Sequence, residues 1–197
     1  MGSIARTSPP GVAWTEIRDA AVDAVSRGWP VVPATFRSGD GRWYGRAGAT
    51  ELDPVADDWE SARVTDVDQA LDIWTRKPFG VLLVCGYGLD VLELPPEVAE
   101  LLPALADRAL IAPTAAVMPP PRWLLYVATV PGQILLPPLA MAGVVLRRRG
   151  DWVALPPTNL GHARARWRVE PSDGQVLPDA AEVQHVLADQ LDSAASR

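Results

Sequence analysis

The chain has 197 residues, enough for a full core, and 48% apolar against 21% charged residues excludes a disordered polymer. Its net charge of −6, from 24 acidic and 18 basic residues, excludes a binder that works through overall positive charge, while a local basic patch stays open. A single cysteine, Cys85, excludes an intramolecular disulfide, and His162 and His185 are too few to build a zinc cluster.

In chain order, residues 1–12 read as a loose leader, because Ser8-Pro9-Pro10 disfavours regular structure. Met1-Gly2 opens like a myristoylation signal, but Arg6 stands where Ser or Thr is required. The spacing of Ala13, Ile17, Ala20, Ala21, Ala24 and Val25 predicts a helix over 13–27, closed by Gly28. Trp29–Pro33 reads as a short strand, and the Gly-, Arg- and Asp-rich stretch 37–57 as a long loop, a kind of segment often functional or mobile. Thr65 is the expected N-cap of a helix that ends before Pro78, with Asp66 and Asp68 at its positive end. Residues 79–95 read as two apolar strands joined by a glycine-flanked turn.

Pro95-Pro96-Glu97 opens a predicted helix over 96–107, followed by a strand near 109–112 and a proline-rich turn at 119–121. Trp123–Val127 is a predicted strand and 131–142 an irregular segment. Val144–Leu146 and Trp152–Leu155 are expected to pair around Arg147–Asp151, and Val183, Val186, Leu187 and Leu191 mark an amphipathic helix over 178–191. Helices and strands without strict alternation give an α+β class, a mixed or antiparallel sheet with flanking helices. The expected organisation is a domain over 13–170 and a helical tail over 171–197. The longest apolar stretch, Ile134–Leu146, is too short to span a bilayer, so the expected setting is cytoplasmic, away from membranes.

The strand ending in Glu93-Leu94-Pro95 carries the first chemical signal. Oxygen donors at i and i+2 of a strand share a face and can share a hard cation. Here that face offers Glu93 and a proline. Two arginine groups are candidates for an anionic partner: Arg147-Arg148-Arg149, and Arg164, Arg166 and Arg168, whose alternation would put them on one face of a strand. The alternative is a solvated edge that blocks aggregation. Lys77 is the only lysine, so arginine usage also fits a high-GC, actinobacterial-type genome. Trp43 and Tyr44, beside Arg42 and Arg46, either stack a base or pin their loop. His162 reads as a loop residue, and Trp29, Trp74, Trp123 and Trp152 as core.

The order of segments resembles the bifunctional DNA primase/polymerase N-terminal (prim-pol) domains of the archaeo-eukaryotic primase superfamily. The matching segments are Gly28–Pro33, Val64-Thr65-Asp66 with Trp74, Gly80–Gly86 with Leu89–Pro95, Arg122–Val127, and Trp152–Thr158 followed by Arg166-Trp167. The resemblance implies a core related to the RNA-recognition-motif fold and, in active members, two-metal nucleotidyl transfer. It places the family's first carboxylate on Glu93, the second on Pro95, the histidine on Leu124 and a later aspartate near Val145. The expectation is therefore a prim-pol-like protein without catalysis, with a regulatory, nucleotide- or nucleic-acid-binding, or protein-interaction role and no cofactor. Two alternatives stay open. One is an active enzyme using magnesium or manganese with Glu93 and Asp90 or Asp151. The other is a protein-binding scaffold using the Pro119–Pro121 and Pro137-Pro138 loops. The family's larger replication proteins carry a helicase segment, so a role in replication implies a partner in trans.

Overall fold

The computed structural model describes residues 14–110, 112–117, 121–161 and 163–195. The expected leader, Ala13, Pro119, Pro120 and His162 lie outside the described residues. Two compact units result, one from the chain up to Leu83 with Ala154–Ala165, the other from Val84–Val153 with Arg166 onward.

In the first unit, α1 (Trp14–Ser26) buries Ile17, Ala21, Ala24 and Val25, the stripe that the spacing predicts. Its end is a Schellman motif: Trp29 N–H reaches Ala24 O and Gly28 N–H reaches Val25 O, both at 2.9 Å, with Gly28 at φ +78°. The strand β1 (Val31–Ala34) pairs antiparallel with β4 (Gly80–Val84), Val31 opposite Leu83. Between them lie a small hairpin, β2 (Phe36–Arg37) and β3 (Trp43–Tyr44), and the helix α2 (Val67–Arg76). The N-cap of α2 is Asp66 rather than Thr65, because its carboxylate accepts Gln69 N–H at 2.9 Å. Trp74 on α2 is fully buried and donates to Phe79 O at 3.0 Å, which satisfies the indole in the core.

The expected long loop is therefore shorter. Asp40-Gly41 turns the chain, Ser38 N–H donates to Arg42 O at 2.8 Å, and Phe36 stacks on Tyr44 at 5.9 Å. The remainder is tied down by buried Thr35, whose hydroxyl donates to Glu51 O at 2.7 Å and accepts Asp53 N–H at 2.9 Å.

The second unit is built on five antiparallel strands in the order β10-β6-β7-β5-β8: β5 (Leu89–Leu94), β6 (Thr114–Val117), β7 (Arg122–Ala128), β8 (Val145–Arg147) and β10 (Arg166–Val169). The strand β9 (Trp152–Ala154) belongs to the smaller sheet. Four sequence expectations change here. β4 and β5 are not a hairpin, since β5 runs between β7 and β8. β8 pairs with β5, not with β9. The strand expected at 109–112 lies at β6, because Ala109 turns the chain at φ +57°. The helix expected over 96–107 is two turns, α3 (Pro96–Ala99) and α4 (Pro103–Ala106), because Pro103 has no N–H to continue the first.

One face of this sheet carries Leu92, Leu94, Leu125 and Val127 into a core with α3, α4, α5 (Pro137–Met141) and α6 (Ala180–Ala195). Each fully buried leucine there contributes about 1.5–3 kcal/mol relative to an exposed one. α6 presents Val183, Val186 and Leu187 to that core at helical spacing, and Asp179 caps it by accepting Ala181 N–H at 2.7 Å. α5 occupies the segment expected to be irregular, with prolines in its first turn, where no N–H is needed. Gln184 is wholly buried; its amide oxygen accepts Leu136 N–H at 2.9 Å and so fixes the preceding loop to α6. No helix among the described residues is long and apolar enough to cross a membrane.

Candidate functional site

The β5 ladder with β7 is unbroken from Leu89 to Leu94, and it sets one row of side chains across three strands. Glu93 is opposite Leu124 on β7 and opposite Val145 on β8. Three of the four positions singled out by resemblance thus meet in one row, and the fourth, Pro95, follows the end of β5. Since facing residues in register point to the same side, they form one surface, away from the leucine core.

What occupies the row is not a set of metal donors. Leu124 is 3% exposed, and neither it nor Val145 has a ligating atom. Arg147, two residues beyond Val145 and so on the same face, donates through Nε and Nη2 to Glu93 Oε2 at 2.9 and 2.7 Å. Arg122, two residues before Leu124, brings its Nε to 3.7 Å from Glu93 Oε1. One carboxylate between two guanidinium groups, with two apolar neighbours and Pro95 beyond the strand end, does not fit a pair of divalent cations. Among the described residues no three His, Cys, Asp or Glu side chains are grouped to hold a metal ion.

The Arg147 guanidinium also stands 3.7 Å from Asp151 Oδ1. Burial works against its charge, but the Glu93 hydrogen bond and the nearby carboxylates raise its pKa above the ordinary arginine value. Arg122 was not singled out from sequence. Counting back by two along the strand from Leu124 would have found it.

Asp90 remains on the opposite face, as the regular ladder requires. It is 3% exposed, its Oδ1 has no hydrogen-bond partner among the described residues, and burial raises its pKa. Asp151 closes the turn after β8, where its carboxylate accepts Arg148 N–H at 3.1 Å. Cys85 is fully buried and its thiol pKa is pushed far up by desolvation, as expected of a structural thiol.

The other candidate residues scatter. Arg149 stacks over Tyr87 at 5.4 Å, and Arg148 leans towards Gln133 O at 3.5 Å. Arg164 is outside β10 and bridges Asn159 instead. β10 has a register shift between Trp167 and Val169, so Arg166 and Arg168 do not continue a simple alternation; Arg168 lies over the Trp123 ring at 5.2 Å. The expected one-face stripe of three arginines is therefore absent. Arg46 closes its own loop through Asp53 at 2.6 Å and Asp57 at 2.5 Å. Tyr44 donates to Asp40 at 2.8 Å. Trp43, half-buried, lines a pocket with Arg37 and Arg42. Of the tryptophans read as core, Trp29 and Trp74 are buried, while Trp123 and Trp152 are half-buried.

Helices flanking antiparallel sheets, with this cross-strand row on β7, β5 and the edge strand β8 of the larger one, make an α+β fold consistent with a primase/polymerase domain. The family described as bifunctional DNA primase/polymerase, N-terminal, matches residues 21–180, and the chain belongs to it. No curated protein matches the chain.

Proposed function

We propose that this primase/polymerase-family domain does not catalyse nucleotidyl transfer and acts by binding, to a nucleic acid, a nucleotide or a protein. The observation that carries this reading is the Glu93–Arg147 pair. A guanidinium sits against the one carboxylate of the row, and Leu124 and Val145 occupy the positions beside it. Two-metal transfer requires carboxylates that neutralise two cations and leave coordination sites for phosphate oxygens. Arg147 instead supplies a fixed positive charge whose hydrogen bonds already point at Glu93. The family's association with DNA supports a nucleic-acid ligand for the domain.

The second reading, an active enzyme with unusual ligands, has one observation in its favour. Glu93 and Asp151 both approach Arg147, so its displacement would leave two carboxylates near one position. Calorimetric titration with a deoxynucleoside triphosphate, with and without manganese, separates the two. The binding reading predicts that any heat of nucleotide binding is independent of manganese and unchanged in Glu93→Gln. Manganese-dependent binding that disappears in Glu93→Gln would establish the enzyme.

A further inference from the structure

A second site lies wholly within the first unit. The hairpin of β2 and β3 borders a pocket of about 340 Å³ together with Asn159, Gly161, Ala163 and Arg164; Arg37, Ser38, Gly39 and Gly41 line its hairpin side. A wider pocket of about 690 Å³ adjoins it, sharing Arg37, Gly41 and Gly161 and adding Arg42, Trp43 and one acidic residue, Glu51. Among the described residues, the narrow pocket has two guanidinium-bearing residues and no carboxylate in its lining, in a chain whose net charge is −6.

The walls are held from both sides. Arg37 Nε donates to Gly41 O at 3.0 Å and its Nη1 to Gly161 O, so one side chain ties the hairpin to Gly161. Asn159 Oδ1 accepts Gly161 N–H at 2.8 Å, and Asn159 and Arg164 form an antiparallel bridge. Gly161 leaves room for the Trp43 ring, since a Cβ there would come 2.8 Å from it. Asp40, the nearest hairpin carboxylate, is engaged by Arg42 N–H at 3.0 Å and by the Tyr44 hydroxyl. Those bonds hold its pKa below the ordinary carboxylate value.

We propose that the narrow pocket takes a backbone phosphate of single-stranded nucleic acid, with the adjoining nucleotide against Trp43 in the wider one. Guanidinium groups and glycine-rich backbone around a small concavity suit a phosphate. An aromatic wall beside a cationic one suits a base next to its phosphodiester. The two pockets have Arg37, Gly41 and Gly161 in common in their linings, so they adjoin, as a phosphate site and its neighbouring base site require. This deepens the binding reading above and rests on it.

The test is fluorescence anisotropy of a labelled oligodeoxythymidine at low salt, with Arg37→Gln, Arg164→Gln and Arg76→Gln. Arg76 lies on the exposed side of α2 and controls for loss of charge alone. Circular dichroism melting of each variant verifies folding. The expected result is binding by the wild type, at least about tenfold weaker binding in Arg164→Gln and Arg37→Gln, and little change in Arg76→Gln. The slope of log affinity against log salt should fall by about 0.7 for each phosphate that a variant no longer neutralises. Equal binding by a folded Arg164→Gln variant and the wild type, or wild-type binding of free nucleotide but not of the oligomer, would overturn the strand site. Either result leaves the absence of nucleotidyl transfer untouched. Conversely, template-directed incorporation by a protein whose oligomer binding needs Arg164 would overturn the non-catalytic reading and leave this site standing.

Discussion

Gly86→Ala should destabilise the protein by about 2–4 kcal/mol, measured by urea denaturation, and far more than Gly88→Ala. Gly86 starts the turn into β5, its N–H donating to Leu89 O at 2.8 Å. Its φ is +87°, a region that costs a residue with a Cβ about 1–2 kcal/mol. A Cβ at Gly86 would also stand 2.5 Å from the N, Cα and Cβ of Arg149. These atoms are backbone or fixed to it, so no flexible side chain can swing aside, and overpacking adds to the conformational cost. Gly88 has φ +95° and nothing within 4 Å of the equivalent Cβ, so alanine there carries the conformational cost alone. The difference between the two variants isolates the close approach of the turn after β8. Equal midpoints for the two would refute it.

The second large effect concerns the charge row. Arg147→Met should cost about 1–3 kcal/mol, because it leaves the Glu93 carboxylate, 17% exposed, beside Leu124 and Val145 with only the longer approach of Arg122. Fully buried pairs lose more when one partner is removed, and the partial exposure here lowers the figure. Combining Glu93→Leu with Arg147→Met should recover most of the loss, since the row then becomes apolar and Arg122, 33% exposed, keeps water and its bond to Gly143 O at 3.2 Å. A double-mutant cycle in denaturant measures the coupling directly. Additive losses would mean that the ion pair does not organise the row.

The sequence carried some of this architecture plainly and some not at all. The limits of α1 and the buried stripe of α6 followed from apolar spacing and from Gly28, because a helix encodes its own face locally. Strand partners did not follow. Every residue of β4 is buried, so the run has no alternation to say which neighbour it meets, and its nearness in sequence to β5 suggested a hairpin that does not form. The β2–β3 hairpin passed for a loop because two-residue strands have no period to detect, though Asp40-Gly41 was its turn signal. At the site, the resemblance selected Glu93, Leu124 and Val145 from distant segments, and the register brings them together. Of the arginines beside Glu93, Arg147 stood out only as part of a basic run and Arg122 not at all, because which carboxylate an arginine reaches is decided by cross-strand geometry.

The same geometry explains why arginine-rich segments are poor guides to binding in this chain. Arg46, Arg147 and Arg149 are engaged with Asp53 and Asp57, with Glu93, and with the Tyr87 ring. The pocket that joins Arg37 to Arg164 draws on residues more than a hundred positions apart, tied by the Arg37–Gly161 bond.

The most direct measurement of the central claim is primer extension on a templated DNA strand with manganese, comparing the wild type with Glu93→Gln. No incorporation above background is expected of either protein, because the row around Glu93 holds an arginine where transfer chemistry needs cations. Incorporation by the wild type that is lost in a folded Glu93→Gln variant would contradict the claim.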